Sequence, residues 1–397
     1  MKNFEQPISQ KLLDITNKKR ANLLTWRGQF SPQLIETILK EYCLPDSVIL
    51  DPFSGSGTVL LEASFLGFEA YGIELNPAAW LLSKTYELIN NYDRKISVNK
   101  MRKILDQEFP FRILNGLDEE IKNFDQKLLK IRNQLSKELK ILFDALIISL
   151  DVGSNKVTNE LIQCKFNDLV RMVESLPYSH KLIKVYLSDA RSLPIENNKI
   201  DFIVTSPPYI NVFNYHQNYR KSAEMLGWNL LKIAKSEIGS NRANRGNRFY
   251  TVIQYCLDMA DTLGELSRVC NENARVVFII GHQSNVLGVP FYNSDIIERI
   301  ATESGLFKKA LRQKRSFKNK FGTMIREDII NFSNLGIECK QESLEKIARE
   351  TAYDILKQSL TKVSSKNKIY LDSAIEKVNE IKKTPRLDIM GLGNIIQ

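Results

Sequence analysis

Two short motifs in this chain could do chemistry together. Thr205-Ser206-Pro207-Pro208-Tyr209 follows an apolar run from Ile200 to Val204, which reads as a buried strand. The Ser206 hydroxyl and the Pro207 carbonyl are acceptors that could hold an amino group by its hydrogens. Two prolines stiffen the turn and limit reorganisation, and Tyr209 offers a flat face to a planar ring. Far upstream, Asp51-Pro52-Phe53-Ser54-Gly55-Ser56-Gly57-Thr58 follows a second apolar strand, Ser47–Leu50. Its glycines let the backbone approach a ligand closely while the chain swings into a helix. No lysine precedes Thr58, and Val59 follows it, so the turn is not a Walker phosphate loop. Glu74 ends the next strand, where an acid in doubly wound folds accepts hydrogen bonds from ribose hydroxyls.

The intervening pattern predicts the elements that carry these motifs. A helix starts at Phe30-Ser31-Pro32 and runs to Lys40, strand 47–50 and the glycine turn follow, and a second helix spans 58–66 up to Gly67. Glu69–Glu74 is the next strand, and Asn76-Pro77 opens another helix. Strand, glycine turn, helix, then a strand ending in an acid is half of a doubly wound fold. From 93 to 181 the sequence turns lysine-rich and helical, an insertion that could be a lid or could recognise the target. The core resumes with strands 183–187 and 200–204, a helix over 257–268, a strand over 275–280 and a helix over 295–303. A hairpin over 309–320 and 326–332 and a charged, helical tail from 336 complete the chain. The predicted division is therefore 1–92, 93–181, 182–335 with a substrate loop at 210–255, and 336–397.

Asp51-Pro-Phe-Ser-Gly-Ser-Gly-Thr-Val-Leu-Leu-Glu-Ala63 with Gly72-Ile-Glu-Leu-Asn-Pro77 resembles the S-adenosylmethionine site of amino-methylating DNA methyltransferases. Ser206-Pro-Pro-Tyr209 is similar to the catalytic motif of that family, most often in its cytosine-N4 branch. Gln29-Phe-Ser-Pro-Gln33 resembles the segment beside the methionine end of the cofactor. The resemblance implies an α/β fold of the Rossmann-like class I methyltransferase type. This is a mostly parallel doubly wound sheet with a terminal antiparallel hairpin, here with a helical insertion. It also implies roles for particular residues. Asp51, Pro52, Phe53, Ser54, Gly55, Gly57 and Thr58 hold the methionine moiety, Phe30 and Ser31 close its side, and Glu74 with Leu75 takes the ribose. Asp189 with Ala190 meets the adenine amine, and Ser206, Pro207, Pro208 and Tyr209 hold the target amine. In many members with a Ser-Pro-Pro-Tyr turn the catalytic motif comes first, whereas here the cofactor motif does.

Cytosine-C5 methylation is set aside, because it needs a cysteine nucleophile and none lies in this turn. The target is read as cytosine N4 in double-stranded DNA, with a restriction endonuclease cutting the same site as the implied partner. Adenine N6, a tRNA guanine N2 or a non-catalytic binding role are the alternatives. The intact glycines, Glu74 and Ser206-Pro-Pro-Tyr209 argue against decay. Only a short lead-in precedes the first core segment, which counts against tRNA. Asn211, Tyr215, Arg242, Arg245 and Arg248 lie in aromatic, amide- and arginine-rich segments that suit contact with nucleic acid, although a solvated basic loop has the same composition.

Composition agrees with these readings. The chain has 397 residues, 43% hydrophobic and 26% charged, enough for a large core. Its net charge of +10 favours a polyanionic partner. Five scattered cysteines and three histidines make neither a disulfide framework nor a zinc site, so no metal is expected. No apolar run reaches membrane-span length and the start lacks a signal-peptide core, so a cytoplasmic location is expected.

Overall fold

The computed structural model describes residues 3–15, 20–111, 119–211, 215–240, 244–318 and 322–387. Its frame is a seven-stranded sheet in the order β3-β2-β1-β4-β5-β9-β8. The strands are β1 (Val48–Asp51), β2 (Glu69–Glu74), β3 (Ile183–Leu187), β4 (Ile200–Thr205), β5 (Cys270–Gly281), β8 (Phe307–Lys318) and β9 (Met324–Asn334). A separate small hairpin pairs β6 (Ser284–Val286) with β7 (Val289–Phe291). β1 to β5 run parallel, while β9 lies antiparallel to both β5 and β8. This is the expected Rossmann-like α/β fold, with the terminal hairpin at one edge.

The chain winds outward from β1 through β2 to β3, then returns and winds the other way from β4 to β5. The strand order therefore reverses between β1 and β4, and the crevice at their carboxyl ends is the place where such sheets bind ligands. Alternation along the strands builds two cores. Ile49, Phe202, Val204, Val277 and Ile279 point to one face; Leu50, Ile203, Val276, Phe278 and Ile280 point to the other.

The insertion is built into the first face. Its helices Arg94–Glu108, Phe124–Asn133, Lys137–Leu150 and Asn159–Ser175 bury Met101, Leu128, Phe143, Leu146 and Phe166 in the same cluster as Val59 and Leu81. On the second face lies the helix Tyr250–Val269, longer at its start than the sequence pattern suggests. The tail helix Gln341–Gln358 packs there too, burying Leu344, Ala348, Ala352 and Leu356.

Candidate active site

The Asp51–Thr58 turn is held from three sides. Ser54 donates its backbone N–H to the Ile73 carbonyl of β2 at 2.9 Å, and Gly57 N–H closes onto the Ser54 carbonyl at 2.8 Å. Gly57 sits at φ +87° as the cap of the helix Thr58–Phe65, and a Cβ there would meet the Tyr86 ring at 2.8 Å. Only glycine meets both demands. From above, the segment 20–31 closes over the turn. Thr58 Oγ1 donates to Asn22 at 3.1 Å, and Trp26 lies against Gly55. Gln29 holds that segment in shape by accepting from Trp26 N–H at 2.7 Å and donating to the Leu24 carbonyl at 2.8 Å. Arg20 ties it down through ion pairs of 2.7 Å to both Glu36 and Glu62. Phe30 is half-buried against the first core, and Ser31 opens the helix Pro32–Tyr42, its backbone carbonyl accepting from Leu34 N–H at 3.0 Å.

Two carboxylates face this turn. Glu74, at the end of β2, accepts from Gly55 N–H at 2.8 Å and from Asn76 N–H at 2.7 Å. Asp51, at the end of β1, accepts from its own turn at Phe53 N–H at 3.1 Å and from the Thr205 hydroxyl at 2.6 Å. That last bond joins the glycine turn to the residue that opens Ser206-Pro-Pro-Tyr209. Desolvation pushes both carboxyls up, Asp51 to about 7 and Glu74 to about 7, with the Asp51 charge adding to the effect on Glu74. Their resolved hydrogen-bond donors are neutral N–H and O–H groups. The Ser54 hydroxyl, buried over Gly72 of β2, has no hydrogen-bond partner among the described residues.

The catalytic-type turn is clamped as tightly. Tyr209 lies over Gly281 at the end of β5, where a Cβ would meet its ring at 2.7 Å, and its hydroxyl stands 3.3 Å from the Ser206 hydroxyl. Asn293, fully buried, accepts from Ile210 N–H at 3.1 Å and donates to the Gly281 carbonyl at 3.2 Å. Gly239, at φ +75°, leaves room for the Tyr209 carbonyl.

Sequence reasoning missed Thr205, Gly239, Gly281 and Asn293 as positioning residues. Thr205 stood one place before the motif and was legible there. The other three act across long sequence separations, so no local pattern marks them.

The residues expected to meet nucleic acid separate. Asn211 and Arg248 join each other by a hydrogen bond, with Asn211 Nδ2 donating to the Asn285 carbonyl at 2.8 Å, so these two rim the catalytic turn. Arg245 is exposed beyond them, and Arg242 lies outside the described residues. Tyr215 turns to the other side. It packs against Gly28, and its hydroxyl is pushed up to about 12, by burial first and then by the charges of Glu74 and Glu237. The basic run from Arg312 is partly internal. Arg312 pairs with Asp295 at 2.6 Å and Asp328 at 2.9 Å, and the buried Arg315 stands 3.5 Å from Glu327.

Comparison with known proteins points the same way. The N6/N4 methylase family, described as DNA methylase, matches residues 5–85, the stretch that holds the closing segment, the glycine turn and Glu74. The type II methyltransferase M.MjaII of Methanocaldococcus jannaschii is 21% identical over 68% of this chain and 74% of its own length. These matches support an amino-methyltransferase. M.BsoBI of Geobacillus stearothermophilus is 25% identical to this chain over 57% of each. M.AvaI of Nostoc sp. is 20% identical over 56% of the chain, which thus spans a little over half of these last two relatives, 57% and 58%. Among solved structures, an S-adenosylmethionine-dependent methyltransferase of Methanosarcina mazei covers 75% of this chain and 97% of its own at 12% identity, with a TM-score of 0.36. The fold assignment rests on the strand order rather than on that score.

The cofactor is S-adenosylmethionine, and the donor set fits it. Two desolvated carboxylates that meet neutral donors suit a cationic ligand bearing ribose hydroxyls, and Ser54 adds a buried hydroxyl still open to a partner. Among the described residues, no group of three or more His, Cys, Asp or Glu side chains could hold a metal. No helix there is long and apolar enough to cross a membrane.

Proposed function

We propose that this chain is an amino-methyltransferase that acts on DNA, methylating the exocyclic N4 amine of cytosine by direct in-line displacement. The observation that carries the reading is the 2.6 Å bond from Thr205 to Asp51. It holds the glycine turn and Ser206-Pro-Pro-Tyr209 side by side at the reversal of the strand order, where a methyl donor and a methyl acceptor can meet. The family description, the type II relatives and the net charge of +10 support DNA as the substrate class, with a nuclease of the same specificity as the implied partner.

Bound S-adenosylmethionine supplies an electrophilic methyl group on its sulfonium. The chain does the rest by placement. Asp51 and the glycine turn would hold the methionine end, and Glu74 the ribose. Ser206 and the Pro207 carbonyl accept the two amino hydrogens of a base swung out of its stack, so that the nitrogen lone pair lies on the line of attack. Tyr209, seated on Gly281, presents its ring to that base. Labelled methyl transfer to mixed-sequence duplex DNA and to bulk tRNA tests the substrate class. Label in duplex DNA is expected; label confined to tRNA contradicts the reading.

The two desolvated carboxylates predict a pH dependence. Their folded values stand above those of an unfolded chain, so the cofactor-free fold is favoured at low pH and loses that contribution as pH rises through about 7. A ligand whose hydroxyls and cationic groups face the ionised carboxylates favours the deprotonated site. Cofactor affinity is therefore expected to rise between pH 6 and 8 with release of protons. Calorimetry in buffers of differing ionisation enthalpy measures that release, and proton uptake would contradict it.

A further inference from the structure

The chain's last described segment, Lys382–Leu387, is stapled across the carboxyl edge of the sheet beside β3. Ile381 packs against the second-face core and Leu387 against the first, so the strap passes from one face to the other. Lys383 pairs with Asp261 at 2.7 Å, and Gln254 donates to the Lys382 carbonyl at 3.0 Å. The anchor is Arg191, whose side chain is wholly buried. It donates to the Thr384 carbonyl at 2.8 Å, the Pro385 carbonyl at 3.1 Å, Asp258 at 2.8 Å and the Ser236 carbonyl at 3.2 Å.

Arg191 also grips Asp189, the residue that the resemblance assigns to the adenine amine. Asp189 follows β3 and stands next to the ribose-side acid, since Ser188 N–H donates to the Glu74 carbonyl at 3.0 Å. Its Oδ1 accepts from Arg191 N–H and Nε, both at 2.9 Å. Its Oδ2 accepts from Arg191 Nη2 at 2.6 Å and from Leu387 N–H at 3.1 Å. A carboxylate offers about four lone-pair positions. All four are taken, three by Arg191 and the fourth by the strap.

We propose that the strap is a self-ligand of the cofactor site: the Leu387 N–H holds on Asp189 the acceptor position that an adenine amine requires, and the two exclude each other at that atom. This rests on the reading that Asp189 faces the adenine. Cofactor binding then detaches Leu387 from Asp189 while the buried Arg191 keeps its grip on both aspartates. The strap makes the adenine end open only on exchange of one donor for another.

Leu387→Pro removes this N–H together with the leucine side chain, and Leu387→Ala, which keeps the N–H, controls for the lost packing. The probes are S-adenosylhomocysteine and S-inosylhomocysteine, which carries a carbonyl in place of the adenine amine. Calorimetry is expected to show the variant binding the adenosyl compound roughly three- to tenfold more tightly than the unaltered protein, with no gain for the inosyl compound. Equal or weaker adenosyl binding, with normal rejection of the inosyl compound, would overturn the proposal and make the strap a fixed wall. No discrimination between the compounds in either protein would instead refute the placing of adenine at Asp189, and the proposal with it. A readout in the unaltered protein covers a variant that does not fold. Hydrogen exchange in the Thr384–Leu387 peptide is expected to speed up when S-adenosylhomocysteine binds, and slower exchange overturns the proposal.

Discussion

Ser206→Ala is expected to lower kcat by roughly 100-fold or more while leaving cofactor affinity within about twofold, the scale seen when one oriented hydrogen-bond partner of a reacting group is lost. Among the described residues, the Ser206 hydroxyl meets only the Tyr209 side chain, at 3.3 Å, so its removal leaves the glycine turn and its bond to Thr205 in place. The loss therefore belongs to the acceptor amine and not to the cofactor. Single-turnover rates with saturating DNA, together with cofactor titrations, separate the two. A large loss of cofactor affinity with an intact rate would contradict the role.

Gly239→Ala is expected to be as damaging, although residue 239 is far from the motif in sequence. A methyl group there would stand 2.3 Å from the Tyr209 carbonyl oxygen, a backbone atom that cannot rotate away, and the residue sits at φ +75°. The left-handed conformation costs alanine about 1–2 kcal/mol. Relieving the overlap requires the Pro-Pro-Tyr turn to move by something near 1 Å, a displacement that can cost on the order of 100-fold in rate. The turn is also fixed by Asn293 at Ile210, so it has little freedom to yield. Thermal unfolding and kcat measured on the same preparation test this. A modest drop in melting temperature with a severe drop in kcat is expected, and full activity would show that the turn's placement is not critical.

Thr205→Val keeps shape and removes one hydroxyl. It leaves the buried Asp51 carboxylate short of a donor, which costs about 1–3 kcal/mol and drives its pKa further up. Cofactor affinity at neutral pH is expected to fall and to recover in part at higher pH. An unchanged affinity and pH profile would contradict the coupling of the two motifs through this bond.

Much of this arrangement was legible before any coordinates. β2 was placed to the residue because Gly67 and Asn76-Pro77 punctuate it, and β1 and β4 were found from short apolar runs ending in distinctive turns. The terminal hairpin was legible as two strand-like runs beyond Gly305. The helix Tyr250–Val269 begins earlier than expected because most of its first two turns, Thr251–Cys256, is buried all round and shows no amphipathic period. The small β6–β7 hairpin escaped because each strand has three residues.

Within the site, motif residues declared themselves by type, but their supports did not. Asn293, Gly281 and Gly239 matter because tertiary packing brings them against the Tyr209 turn, and single positions of common residue types carry no periodic signal. Arg191 followed Asp189 by two places, yet nothing local revealed that it would bury itself and gather Thr384 and Pro385. Composition could not divide the aromatic and arginine-rich stretch, where Tyr215 turned toward Glu74 and Arg248 toward Asn211.

The central claim is transfer to an exocyclic amine of a DNA base by this pair of motifs. The most direct measurement is mass spectrometry of nucleosides from duplex DNA incubated with the protein and S-adenosylmethionine, with Ser206→Ala as the control. The account predicts N4-methylcytosine that is lost in the control. N6-methyladenine would keep the mechanism and change the base, whereas 5-methylcytosine, or label that persists undiminished in the Ser206→Ala sample, would contradict it.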